Sequence, residues 1–330
     1  MNRDSGLGAP ETYRAPGHFD PKVPNVARIY DYILGGKDNF AADRAFVDEG
    51  LPWVPDLPEV VRANRDFLGR AVRHLAADCG IEQFLDIGTG LPTAENVHEV
   101  VHRVNPAGRV VYVDNDQVVL THARALLAGS SNVAVAEGDL RNPESILSAP
   151  EVGQLIDFTR PVAVLMVAIL HFVTDEQAPS EIVRRFRDMI APGSYLAISH
   201  AEYRRHLAKP ASMYRRMANE PVQLRSRAEI ARFFDGFELL GPGVVPVSRW
   251  QPEAVEAPGR HSRGALRACA SIAAKRGAKR RRAPEAAAKA LRAQQGGEPE
   301  DGQEAAADEV WFAAGVGRKP VRTGPAESTA

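Results

Sequence analysis

FLDIGTG, residues 84–90, is the stretch from which the rest of the chain can be read. A β-favouring run ends at Asp86, the chain turns through Gly88 and Gly90, and Thr93 stands where the next helix can begin. Glycines suit such a turn because a Cβ would crowd a ligand lying against it, and a helix N-terminus adds free backbone N–H groups. A strand that ends in a carboxylate and turns through glycines into a helix is the entry to a nucleoside-binding α/β unit.

Downstream, strand-like runs alternate with helical patterns: RVVYVD at 109–114, VAVAEGD at 133–139, PVAVLMVAIL at 161–170 and SYLAIS at 194–199, with helical spacing over 94–104, 117–127 and 175–190. The runs at 109–113 and 162–170 are almost continuously apolar, as expected of strands covered on both faces. The alternation predicts a Rossmann-like, mostly parallel sheet with helices on both faces. Upstream, Val60, Val61, Asn64, Phe67, Leu68, Ala71, Val72 and Leu75 share one helical face, with Asn64 its single polar member. Val26, Ile29, Tyr30 and Ile33 predict a shorter helix that stops at Gly35 and Gly36, and Ser226 with Glu229 forms a capping-box pattern.

Asp86 discriminates between cofactors. A turn that cradles a pyrophosphate would set it beside like charge, whereas an ammonium group would be attracted to it, and S-adenosylmethionine carries one. The third glycine of the dinucleotide pattern is also missing, with Thr93 in its place, which speaks against NAD(P) and an oxidoreductase on a similar fold. Asp114 ends the second strand, where a carboxylate can accept from both ribose hydroxyls, and Asn115 follows it. Asp139 sits just past the third strand, placed to accept from an exocyclic adenine amine, with Leu140 to cover the ring. The expected cofactor set is thus Asp86, Gly88, Gly90, Thr93, Asp114, Asn115, Asp139 and Leu140.

With these residues in place the chain resembles the class I S-adenosylmethionine-dependent methyltransferases, DIGTG resembling their first motif, VDND their ribose-binding tip and EGDL their adenine-edge motif. PNVARIYDYILGGKDNFAADR, DIGTGLPT and the closing GVGRKP further resemble an actinobacterial S-adenosyl methyltransferase family of mostly unassigned substrate, over residues 24–252 and 309–320. The resemblance implies a seven-stranded sheet whose last strand, VWFAAGV, inserts antiparallel, with the N-terminal helix and GGKDNF loop closing over the cofactor.

Methyl transfer from a sulfonium is an in-line displacement, so alignment in a dry site is the main task, and a base matters only for a hydroxyl or protonated amine acceptor. His171, after the fourth strand in AILHFVTD, is the candidate catalytic group, as base or as orienting donor; packing beside Phe172 is its structural alternative. Tyr30, Tyr32, Gly36, Lys37, Asn39 and His200 are candidates for the lid or acceptor pocket. The acceptor is expected to be a small molecule, and no N-P-P-Y or PC-type motif of amino-base methylation is present.

The 330 residues carry 41 basic and 42 acidic side chains, so no global field steers the molecule toward nucleic acid or anionic lipid. Residues 260–292, however, hold eleven Lys or Arg against Glu285 alone, which leaves open a nucleic-acid-binding methyltransferase. The two cysteines, Cys79 and Cys269, match no metal-ligand spacing and suggest a reducing compartment. With no apolar leader and no run long enough to span a bilayer, a cytoplasmic location is the default. The domain reading is a disordered leader over 1–24, one domain formed by 25–253 and 308–320 with a lid over 25–58, a disordered Ala/Arg-rich insertion over 254–307, and a disordered tail over 321–330. A cofactor-binding module without catalysis is a further alternative, and the oligomeric state is not specified.

Overall fold

The computed structural model describes residues 20–252, apart from 94, 128 and 219, and residues 310–321. The expected leader, except for its last five residues, the whole basic insertion and the tail beyond residue 321 lie outside the described residues.

Five parallel strands, β1 (Gln83–Ile87), β2 (Arg109–Asp114), β3 (Val133–Glu137), β4 (Ala163–Val167) and β5 (Tyr195–Ala201), stand in the order β3-β2-β1-β4-β5. Two short strands, β6 (Glu238–Leu239) and β7 (Val245–Pro246), both pair with β8 (Phe312–Arg318), which runs antiparallel along β5 from Tyr195↔Arg318 to Ala201↔Phe312. The antiparallel last strand is as expected. Among the described residues the sheet has eight strands where seven were expected, because the edge beyond β8 is divided between two two-residue segments.

Ten α-helices accompany the sheet among the described residues: α1 (Val26–Ile33), α2 (Ala41–Gly50), α3 (Leu57–Ala77), α4 (Val97–Val104), α5 (Gln117–Leu126), α6 (Pro143–Leu147), α7 (Pro150–Leu155), α8 (Pro179–Met189), α9 (Ala208–Met213) and α10 (Arg227–Arg232). Side chains alternate between the sheet's faces with the period of two that a strand imposes. Phe84, Val110, Tyr112, Leu165 and Ala197 pack in one apolar cluster with Phe67, Ala71 and Leu75 of α3 and Val97 and Val101 of α4. Leu85, Val111, Val113, Val164 and Met166 pack in a second with Ile146, Val152 and Phe186. Each such fully buried large side chain stabilises the fold by roughly 1.5–3 kcal/mol.

Two helix starts differ from the sequence reading. The helix after β1 begins at Val97, not beside Thr93; Glu99 reaches back to the Asn96 N–H (2.8 Å), and the Thr93 N–H donates to the Asn96 side chain (3.0 Å). The pattern over 175–190 begins with a single 3₁₀ turn, and α8 proper starts at Pro179, where a missing N–H costs nothing.

α1 and α2 are welded by Asp43, which is fully buried, accepts from the Asn25 and Phe40 N–H groups (2.9 and 2.8 Å) and pairs with Arg28 at 3.1 Å. Asn25 caps α1 by accepting from the Ala27 N–H (2.8 Å). The GGKDN loop is tied back onto α1, since Asp31 accepts from the Asp38 N–H (3.0 Å) and the Asn39 amide (2.9 Å). A Cβ on Gly36 would overlap the Asp31 carboxylate, which explains that glycine.

β1 pairs with β2 on one side and β4 on the other. The chain therefore travels outward through β2 and β3 and returns to β4 across β1. Such a reversal opens a crevice at the carboxyl ends of the strands. No helix among the described residues is long and apolar enough to cross a membrane.

Candidate functional site

A cavity of about 220 Å³ lies at the carboxyl ends of β1 to β4, bounded also by α1, α2, α3 and α9. All eight residues of the expected cofactor set line it: Asp86, Gly88, Gly90, Thr93, Asp114, Asn115, Asp139 and Leu140.

Asp86 is 4% exposed and accepts from the Thr89 hydroxyl (3.0 Å). Burial pushes its carboxyl up to about 6, against the opposing effects of Thr89 and Arg65. Asp114 is 8% exposed; its two oxygens accept from the Gly90 N–H (2.9 Å) and the Asp116 N–H (3.0 Å). Burial raises it likewise to about 6. Neither carboxylate has an ion-pair partner among the described residues.

Asp139 is different. Its burial is outweighed by Arg141, which reaches its Oδ2 at 2.6 Å, so its carboxyl is held below the ordinary range. The Asn115 amide also donates to it (3.3 Å). The reason for Gly88 differs from the expected one: at φ +72° a Cβ would meet the Ile169 side chain at 2.7 Å, so the glycine admits a side chain from the turn after β4. Gly90, at φ +67°, faces open space, as a turn against a ligand requires.

His171 lines the cavity and is 6% exposed, and its Nδ1 has no partner among the described residues. Burial, then His200 and Arg225, lower its pKa well below the usual value. Burial thus favours its uncharged form and opposes its taking up a proton. His200 does not line the cavity; it is wholly buried beneath it. A guanidinium can only donate, so Arg225 Nη1 donates to His200 Nε2 (2.9 Å), and Nδ1–H donates to the Ala201 carbonyl (2.8 Å). Desolvation pushes this histidine down to about 3.

Of the lid candidates, Tyr30 lines the cavity. The walls exclude Tyr32, whose hydroxyl lies 3.5 Å from Asp48, exposed Lys37, and Gly36 and Asn39, which serve the loop's attachment to Asp31.

Sequence reasoning missed the Asn64 bridge. Asn64 donates to the Tyr30 hydroxyl (2.9 Å) and accepts from the Ser199 hydroxyl (2.6 Å), and Ser199 accepts from the Ala168 N–H (2.9 Å). Ala168 holds a left-handed conformation (φ +57°) at the end of β4, a strained geometry that this contact secures. The signal was present in the one polar residue on the apolar face of α3. Arg65, Asp31, Glu220 and Tyr214 also line the cavity and carry no comparable local signature.

The sequence profile of a family described as S-adenosyl methyltransferase matches residues 13–276. The crystal structure of a proposed methyltransferase from Thermobifida fusca YX is 38% identical, covering 91% of this chain and 96% of that one, with a TM-score of 0.71. That of a DUF574 family protein from Streptomyces avermitilis MA-4680 is 39% identical, covering 91% of this chain and 99% of that one, with a TM-score of 0.72. No curated protein matches the chain.

Proposed function

The chain belongs to the S-adenosyl methyltransferase family, and from that premise we propose that this cavity holds S-adenosylmethionine along the tips of β1 to β3 and sets its methyl group toward a small-molecule acceptor. The enzyme class and the cofactor are those of the family. The observation that carries the assignment of the site is the pair Asp86 and Asp114. Two carboxylates buried at neighbouring strand tips, neither in an ion pair among the described residues, suit a ligand that brings positive charge.

In this reading Asp86 attracts the ammonium group at the amino-acid end of the cofactor, and the Gly88–Gly90 turn gives it room. Asp114 accepts from the ribose hydroxyls with the lone pairs that Gly90 and Asp116 leave unused. Asp139 accepts from the adenine amine beside Arg141, and Leu140 covers the ring. Arg65 stands close enough to act on the Asp86 carboxyl and is the candidate partner of the cofactor's carboxylate. α1, α2 and the loop between them form the lid that keeps water out.

Bound there, S-adenosylmethionine supplies a methyl group activated by its sulfonium. The protein's part is alignment and dryness, which suits a site whose one candidate base, His171, is neutral and buried. Calorimetric titration of the full chain with S-adenosylmethionine tests the assignment. Asp114→Ala removes charge-assisted hydrogen bonds of about 1.5–3 kcal/mol, an affinity loss of roughly ten- to a hundred-fold. Folded Asp114→Ala protein that binds as tightly as the wild type would overturn the placement.

A further inference from the structure

The carboxylates stand at the tips of β1, β2 and β3, on one side of the crevice. On the β4, β5 and β8 side the cavity is walled by rings in unbroken succession. Phe46 meets Tyr214 at 4.7 Å between centroids, Tyr214 meets Phe172 at 5.8 Å, Phe172 meets His171 at 4.3 Å, His171 meets Phe312 at 5.4 Å, and Phe312 meets Trp311 at 5.3 Å. All six line the cavity, although they come from α2, from the turns after β4 and α9, and from β8 and the residue before it.

The polar groups among these walls are mostly committed to the protein. The Tyr30 hydroxyl donates to the Val61 carbonyl (3.2 Å) and accepts from Asn64, which is itself held by Ser199. Trp311 Nε1 donates to Asp56 (3.0 Å). The Glu220 carboxylate, which also lines the cavity, lies 3.8 Å from Arg141, and two uncharged side chains of the ring wall are left for a ligand. The Tyr214 hydroxyl and the His171 imidazole, whose Nδ1 is buried, take no hydrogen-bond partner among the described residues, and both side chains line the cavity.

We propose that the methyl acceptor is a neutral, predominantly apolar molecule with an aromatic ring and a phenolic hydroxyl, its body lying along the six rings and its reacting oxygen at His171 and Tyr214. This rests on the methyltransferase reading of the same cavity. Offset and edge-on ring contacts favour a flat aromatic body. A sugar or a nucleobase would bring several polar groups against a wall made mostly of rings, where many of them would be buried unpaired.

The choice of a phenol over an aliphatic alcohol follows from the proton. The acceptor gives up its hydroxyl proton to solvent as it enters the cavity; in the transfer its oxygen forms the new O–C bond and the donor's C–S bond breaks with its electron pair staying on sulfur. His171 does not hold that proton, because burial and the neighbouring Arg225 oppose its positive charge. The hydroxyl must therefore ionise largely by its own acidity, which a phenol does at about 10, as tyrosine does, and an aliphatic alcohol does not.

The test is a titration of the full chain with 1-naphthol, naphthalene, uridine and S-adenosylmethionine, each followed by calorimetry. 1-Naphthol should bind saturably and uridine should not. Phe46→Leu, which keeps apolar volume but removes a ring, should weaken 1-naphthol at least fivefold, and Tyr214→Phe should weaken 1-naphthol while leaving naphthalene unchanged. Both variants should bind S-adenosylmethionine within twofold of the wild type, which also shows that they are folded. S-Adenosylmethionine binding without 1-naphthol binding, or uridine binding as tightly as 1-naphthol, or neither variant affecting 1-naphthol, overturns the proposal and leaves the cofactor reading intact. Loss of S-adenosylmethionine binding in the wild type overturns the cofactor reading first.

Discussion

Asp86 and Asp114 impose a pH dependence whose sign is fixed by their environment. Their carboxyl pKa values stand at about 6 in the folded chain against 3.8 for the unperturbed group. The native state therefore holds protons that the unfolded chain has already released between pH 4 and 6, and the ligand-free protein gains stability as pH falls from 7 to 5. At about 1.4 kcal/mol per pKa unit, each carboxylate costs up to roughly 3 kcal/mol above pH 6. Urea unfolding at pH 7 and pH 5 measures this, and a midpoint that moves the other way contradicts it. A cationic ligand reverses the preference. Affinity for S-adenosylmethionine should rise from pH 5 to 7 with proton release, seen as a buffer-dependent heat of binding; a flat profile would separate the ligand from these carboxylates. Gly88→Ala combines left-handed strain with a clash on Ile169 and is expected to destabilise by about 2–4 kcal/mol, read from the same unfolding curves. The strand-tip carboxylates were legible because chain order alone brings neighbouring tips together. His171 and His200 were not, because Arg225, distant in sequence, and complete burial set their states.

At the scale of elements, the pairing of α1 with α2 stands or falls with one buried ion pair. Asp43→Ala leaves Arg28 charged and buried and removes the acceptor of two backbone N–H groups, a loss of about 3–5 kcal/mol. Hydrogen exchange should accelerate in α1 and α2 and stay unchanged in β1, β4 and β5; unaltered exchange in α1 would show the weld to be dispensable. The long apolar face of α3 and the covered strands could be read directly, since each repeats its period over many residues. β6 and β7, of two residues each, are too short to show a period, and the wide π turn at Tyr214–Ala218 has no sequence pattern to betray it. The start of α4 was readable after all, because Asn96 and Glu99 spell the same cap as Ser226 and Glu229.

For the whole molecule, the cofactor is a stability term as well as a reactant. At a hundredfold excess over its dissociation constant a ligand adds about 2.7 kcal/mol, which for a domain of this size raises Tm by roughly 5–10 °C. A thermal scan with and without S-adenosylmethionine reads it directly, and Asp86→Ala should abolish the increment. The doubly wound architecture was legible from alternation alone. The ring-lined side of the cavity was not, since its rings are drawn from positions as far apart as Phe46 and Phe312, and spacing carries no trace of such a meeting. β8 lies inside the sheet, hydrogen-bonded along β5, yet it is supplied by residues 312–318. While the ribosome is still making the preceding segment, β5 presents an unpaired edge, and a nascent chain at that stage is exposed to strand-to-strand aggregation. Fragments that stop before Phe312 should accordingly accumulate as inclusion bodies, and chaperone dependence should end once Arg318 clears the exit tunnel.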